Sequence, residues 1–287
     1  MCTIPAKDAW IAELNNKKLG IAGKIAAGKS TFLRNAKTYL ETKSIRPIVE
    51  EEKVDGVLLQ AYIGNPKEFA SDFQTERAGA CHHRQAIVNV KREAFGNEQV
   101  ALVERPLYEN LVFALANQRC GNLTTSYIED FYKPMLELKN NLPCDLIIYL
   151  HVTDERSVHN QAVRDRAGED AYRSEYLAVL GDEYFDFVLE HVEKRKMLVI
   201  DWSNFGRVED VLRLAAEVLA GRQKLPTITR VDCSSDDELK HSAGITKIRG
   251  PTGEETVVCS QPSTRKKKYH DKIITALSQF HDVEIFM

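Results

Sequence analysis

The sequence predicts an α/β fold, a parallel sheet flanked by helices with a small C-terminal extension. Three observations predict it. Short apolar runs alternate with amphipathic helical segments from about residue 18 to residue 220. Several of the runs are apolar throughout rather than alternating, as strands buried on both faces must be. The first run leads directly into a glycine turn that opens a helical segment.

Taken in order, Lys18–Ala22 reads as the first strand and Lys29–Thr42 as a helix whose Phe32, Leu33, Ala36 and Leu40 share one face. Ile45–Val49 is a second strand candidate, and the acids Glu50, Glu51 and Glu52 follow it. Val54–Tyr62 and Phe69–Phe95 look helical. Val100–Glu104 is a buried-type strand that ends on a charge. Tyr108–Asn117 and Thr125–Asn140 look helical, and Asp145–Val152 is strongly apolar and reads as a strand. Segments 154–166 and 172–194 read as helices, Lys196–Asp201 as a strand, and Val208–Ala220 as an amphipathic helix closed by Gly221. Ligands in such sheets bind at the carboxyl ends of the strands. Glu51, Glu104 and the glycine turn all fall there.

Composition bounds the function. The chain has 287 residues, 43% hydrophobic and 28% charged, which suits a globular protein and excludes a collagen-like or largely disordered one. A net charge of -3 excludes a basic coat for nucleic acid. No stretch reaches the ~18–20 apolar residues that cross a bilayer. Residues 1–19 lack a basic segment followed by an apolar one, so no secretory signal is expected. The six cysteines are scattered with no Cys-x-x-Cys pair, as expected of thiols in a reducing compartment. Together these point to the cytoplasm. The charge is uneven: residues 222–287 carry 11 Lys+Arg against 9 Asp+Glu, so the acidity resides in residues 1–221. The reading divides the chain there, into a catalytic domain and an extension with a β-hairpin over 245–259, a basic run at 265–268 and a final helix over Tyr269–His281.

The glycine turn carries the clearest chemistry. Gly23, Lys24, Ile25, Ala26, Ala27, Gly28, Lys29 and Ser30 match the phosphate-loop pattern, with Thr31 after it. Glycines let successive N–H groups curl around one anion, and the helix that follows adds its positive end. Lys29 supplies a point charge to the β- and γ-phosphates of ATP, and Ser30 places a hydroxyl on Mg²⁺.

Residues 25–32, Ile-Ala-Ala-Gly-Lys-Ser-Thr-Phe, together with Phe73-Gln74-Thr75, Glu104-Arg105 and Arg164-Asp-Arg166, occur in the order and spacing of one family. Over residues 17–220 the sequence resembles the deoxyribonucleoside kinases. The resemblance implies a phosphate-loop kinase fold, a homodimer, and transfer of the γ-phosphate of ATP to the 5′-hydroxyl of a small-molecule deoxyribonucleoside, with Mg²⁺. It implies Glu51 as the base that takes the hydroxyl proton, although the acids on either side leave the choice among the three open. It implies Glu104 on the metal's water shell and Arg105 near the transferring phosphate, with Arg164 and Arg166 closing over the triphosphate. Gln74 would face the base and Glu169 the 3′-hydroxyl.

Several positions depart from the family pattern. Pro106 replaces a serine, Asn160 an arginine, and Cys81 an arginine that commonly faces the base. Asn110 stands where an aspartate or a small residue is common, and Tyr62 adjoins Ile63, where a sugar-contacting tyrosine is usual. The charged pair facing the base is therefore absent, which leaves the preferred base open. Two alternatives stay open: a nucleoside monophosphate kinase, and a nucleotide-binding module whose basic tail contacts nucleic acid.

Overall fold

A computed structural model describes residues 6–95, 99–138, 143–164, 174–194, 196–225, 227–232, 245–249 and 255–261. Five strands form a parallel sheet: β1 (Lys18–Ala22), β2 (Ile48–Glu50), β3 (Ala101–Glu104), β4 (Leu146–His151) and β5 (Met197–Asp201). Their order is β2-β3-β1-β4-β5. All residues of β1, β3 and β4 are buried, the physical reason these strands read as continuous apolar runs.

The helices are α1 (Lys29–Thr42), α2 (Gly56–Gly64), α3 (Pro66–Ala94), α4 (Leu107–Arg119), α5 (Lys133–Leu136), α6 (Asp154–Arg164), α7 (Ser174–Glu193) and α8 (Val208–Leu219). One core layer joins α1 and α8 to the sheet through Phe32, Leu33, Leu40, Leu102, Ile148, Leu150 and Leu212. A second lies under α4 and α7, with Tyr149, Tyr184, Phe185, Val188 and Val199. A third joins α2, α3 and α4 through Leu59, Tyr62, Phe73, Cys81 and Ala114.

The predicted elements stand with shifted ends, and three differences are physical. A 3₁₀ helix over Ala6–Leu14 precedes β1 and buries Trp10, Ile11 and Leu14 in the first core layer. At nine residues it is too short to show a period. The segment read as one helix over Thr125–Asn140 is a π-helical turn, Tyr127–Tyr132, running into the short α5; Pro134 lacks the N–H that a regular helix needs there. In the extension, β7 (Ile245–Arg249) pairs antiparallel with β8 (Glu255–Gln261), as the hairpin reading expects. An unpredicted β6 (Thr227–Asp232) pairs parallel with β8. The helix expected over 269–281 lies outside the described residues.

Candidate active site

β1 and β3 are neighbours in register, with Ile21 opposite Glu104, so the phosphate loop and the Glu104-Arg105 pair leave the sheet side by side. Two glycines make the loop possible. Gly23 has φ 156°, and a Cβ there would lie 2.9 Å from the Leu150 carbonyl oxygen. Gly28 has φ 85°, and a Cβ would meet the Phe205 ring at 2.9 Å. Lys29 Nζ is drawn back into the loop, donating to the Gly23 carbonyl at 2.7 Å and the Lys24 carbonyl at 3.0 Å. Burial, and then the nearby Arg105 charge, lower the Lys29 pKa to about 8.

Ser30 Oγ donates to Glu104 Oε1 at 2.9 Å. No cluster of three His, Cys, Asp or Glu groups that could hold a metal occurs among the described residues. The hydroxyl and carboxylate nonetheless fit Mg²⁺, which takes hard oxygen donors and commonly keeps only one or two protein ligands beside phosphate oxygens and water.

The three acids after β2 separate. Glu50 pairs with Lys91 on α3, Glu51 is exposed, and Glu52 turns into the site. Extended chain alternates sides, so Glu50 and Glu52 face α3 while Glu51 points away. Glu52 is also fixed from β3, its N–H donating to Glu104 Oε2 at 2.9 Å. Arg105 Nε donates to Glu52 Oε2 at 2.8 Å, and Arg77 Nη1 lies 3.8 Å from Oε1. Burial pushes the Glu52 carboxyl up, but the Arg105 charge and hydrogen bond, with Arg84 and Lys29 behind them, outweigh it and hold it below 4.5. Glu51, which the sequence reading expects here, lies on the exposed side, and its neighbour Glu52 lines the cavity.

Arg105 is held on every side. Its backbone has φ 47°, its N–H donates to the Ile21 carbonyl, and its own carbonyl accepts from Cys81 Sγ at 3.4 Å. The guanidinium lies 4.2 Å from the centre of the Phe113 ring, and Nη1 donates to the Tyr184 hydroxyl at 3.0 Å. Pro106 begins α4 with φ -59°. Under the loop, Glu109 is completely buried. Its Oε1 accepts from the Gly23 N–H at 3.0 Å and from the Tyr184 hydroxyl at 2.8 Å, and it lies 3.8 Å from Arg105 Nη1. Burial raises the Glu109 pKa, and the Arg105 and Lys29 charges only partly offset this.

An open cleft, about 750 Å³ when the solvent space at its mouth is included, lies in front of these groups. Ile25, Ala26, Lys29 and Ser30 line one end. Tyr62, Phe73, Gln74, Asn110 and Phe113 line the other, with Glu52, Arg77, Glu104 and Arg105 between. Tyr62 and Phe73 stack at 4.7 Å, and the Tyr62 hydroxyl donates to Asn117 Oδ1 at 2.9 Å. Arg77 donates to Glu76 and to the Lys53 carbonyl. Gln74 and Asn110 are buried at 1% and 2% exposure, yet Gln74 Oε1 makes no hydrogen bond within the described residues, and Asn110 Nδ2 meets no stronger acceptor there than the Cys81 sulfur. Asn110 adjoins the Cys81 thiol, which is buried behind the cavity rather than lining it. Arg164 and Tyr176 also line the cavity; Arg166 and Glu169 lie outside the described residues. Gly23, Lys24, Ala27, Gly28 and Thr31 occupy the loop and the first turn of α1 without lining the cavity wall.

Arg77, Glu109, Phe113 and Tyr184 were not singled out from the sequence. Glu109 and Phe113 carried a readable signal. α4 is apolar around most of its circumference, and Glu109, Asn110, Phe113 and Asn117 run along it at spacings of one, three and four residues, so its polar groups had to face the interior.

This sheet order, with a phosphate loop after its central strand and a carboxylate-arginine pair facing it, defines a phosphate-loop phosphotransferase. A profile of the deoxynucleoside kinases matches residues 19–219, and the chain belongs to that family, phosphotransferases that act on a hydroxyl of deoxynucleosides. It is 27% identical over 202 residues to the deoxyadenosine kinase of Dictyostelium discoideum, spanning 70% of this chain and 78% of that one. It is 28% identical over 229 residues to the deoxycytidine kinase of Homo sapiens, spanning 70% and 84%. The solved structure of deoxyadenosine kinase from M. mycoides with bound dCTP shares the fold, with a TM-score of 0.57 at 23% identity over 71% of this chain and 99% of that one.

Proposed function

We propose that this deoxynucleoside kinase transfers the γ-phosphate of ATP to the 5′-hydroxyl, with Glu52 as the base. The observation that carries this reading is the position of Glu52 in the cavity wall between the phosphate-loop end and the aromatic end. Ionised by its two arginines, Glu52 accepts the hydroxyl proton at its carboxylate as the oxygen attacks. Arg105 keeps Glu52 charged and adds positive charge beside the transferring group. Lys29, released from the loop carbonyls, pairs with the phosphates. Ser30 and Glu104 would hold Mg²⁺, which when bound neutralises phosphate charge and orients the in-line geometry. Arg164 adds charge from α6.

At the other end, the Tyr62, Phe73 and Phe113 rings form apolar walls for a base and sugar. Gln74 Oε1 asks for a ligand donor and Asn110 Nδ2 for a ligand acceptor, so a base edge is read by two neutral amides. The curated relatives are named for deoxyadenosine and deoxycytidine. Both of those bases offer an amino donor beside a ring-nitrogen acceptor, and we take them as the first substrates to test.

A monophosphate acceptor is less well supported, because the cavity's Arg77 and Arg105 are already paired with carboxylates. From the family resemblance we also infer a homodimer, and from the thiols a reducing compartment such as the cytosol. Cys81 and Cys144 are free thiols, and no described helix is long and apolar enough to cross a membrane. The deciding experiment incubates the protein with ATP and Mg²⁺ against the four deoxynucleosides and their monophosphates. Product from a nucleoside is expected; product from monophosphates alone would overturn the reading.

A further inference from the structure

The middle of the phosphate loop needs support that the loop does not provide for itself. Ala26 has φ 58°, a left-handed conformation that a residue with a Cβ avoids. Its carbonyl, and that of Ile25 before it, both leave the loop on the side of α6. Ser157 Oγ donates to the Ile25 carbonyl at 2.7 Å, and Asn160 Nδ2 donates to the Ala26 carbonyl at 3.1 Å. Residues three and four apart share a helix face. Ser157, Asn160 and Arg164 therefore form one stripe of α6, the first two on the loop and the third on the cavity. Ser157 is 9% exposed, so the contact is part of the packed structure.

A trans peptide unit points its C=O and N–H in opposite directions. Fixing the Ile25 carbonyl toward Ser157 thus turns the Ala26 N–H to the opposite side. The Ala27 N–H is used within the loop, donating to the Lys24 carbonyl at 3.2 Å. The α6 contacts consequently set which loop N–H groups are available to an anion. Lys29 and Ser30 line the cavity, whereas Ser157 and Asn160 do not and bond to the loop carbonyls instead.

We propose that Ser157 and Asn160 are positioning residues for ATP: by holding the Ile25 and Ala26 carbonyls they keep the phosphate loop in its binding shape. The proposal rests on the loop being the ATP site. Asn160 then does its work through a neutral donor rather than through a charge on the phosphates.

The test uses the full chain with Ser157→Ala, Asn160→Leu, the double variant and Ser157→Thr. ATP affinity is read without turnover, by displacement of a fluorescent ATP analogue, and the KM values for ATP and deoxynucleoside are measured separately. Each lost bond is expected to weaken ATP binding roughly five- to tenfold. The deoxynucleoside KM and the melting temperature should stay near wild type, and Ser157→Thr, which keeps the hydroxyl, should retain affinity. Unchanged ATP affinity in the folded double variant would overturn the proposal. So would an equal rise in both KM values. If the double variant does not fold, the Ser157→Ala and Ser157→Thr pair decides by the same two criteria. A wild-type protein that binds ATP but phosphorylates no deoxynucleoside would sink the kinase reading, while the displacement assay would still judge Ser157 and Asn160.

Discussion

Glu52 and Arg105 meet as a buried ion pair, Nε to Oε2 at 2.8 Å, at the point where the chain leaves two neighbouring parallel strands. The same guanidinium reaches Tyr184, and through it Glu109 and the first glycine of the phosphate loop. One arginine therefore joins the proposed base to the phosphate-binding backbone.

Replacing Glu52 with Gln keeps the shape and removes the proton acceptor. Turnover should fall by ~10²–10⁴-fold with much smaller changes in either KM. Glu51→Gln, on the exposed neighbour, should leave turnover near wild type. Steady-state kinetics of the two variants settles which acid is used, and the opposite ranking would return the role to Glu51.

Lys29 with a pKa of about 8 carries its charge below that pH and loses it above. In the free enzyme this predicts that kcat/KM for ATP declines through pH 8 and above, tending toward tenfold per pH unit. The dependence should be absent from the binding of deoxynucleoside alone. A profile for ATP that stays flat to pH 9.5 would contradict it.

Glu109 presents a trade of stability for function. Its folded pKa is raised, so folding favours the protonated form. The associated stability is fully present below the unfolded value of 4.5 and is lost as pH rises through the folded pKa. Glu109 thus contributes less stability at pH 7.5 than at pH 4. Glu109→Gln should raise the melting temperature at pH 7.5, with the gain shrinking toward pH 4. Turnover should fall, because Arg105 loses a counter-charge. Melting curves at the two pH values, set beside kcat, check both halves.

Base recognition predicts loss without collapse. Gln74→Leu removes the buried acceptor, and the deoxynucleoside KM should rise by about tenfold while the ATP KM stays constant. Asn110→Asp replaces the donor with an acceptor and should change which bases are accepted. A panel of four deoxynucleosides measured for each variant would show it, and an unaltered ranking in Asn110→Asp would count against the amide pair.

The extension bears on the division of the chain. Leu225 packs on the first core layer, and Arg222 pairs with Glu13 at 3.0 Å, so residues just past the expected boundary at 221 contact the kinase fold. A chain ending at residue 226 should keep its turnover. Truncation at residue 214, inside α8, should abolish soluble folding. Activity assays and circular dichroism on the two truncations distinguish these outcomes.

Local chemistry made the phosphate loop legible, because glycine, lysine and serine are needed there in a fixed order whatever surrounds them. The parallel sheet was legible for a similar reason: strands covered on both faces admit few polar residues, and β4 shows none before His151. Which of the three acids faces the cavity was not legible. Three consecutive acids are chemically alike in sequence, and only the alternation of an extended chain packed against α3 turns Glu52 inward and Glu51 out. Cys81 stands at a family binding position, yet its thiol is spent on the Arg105 carbonyl. Arg77, four residues earlier, faces the cavity, because helical rotation and the packing of α3 decide which side chain arrives. Asn160, where a charge on the phosphates is usual, instead braces the loop. The sequence by itself determined which strands are buried and where phosphate is held, since both depend on residue types along a short segment. Tertiary structure decided which carboxylate meets which arginine, because that pairing joins residues 53 positions apart through the register of two strands.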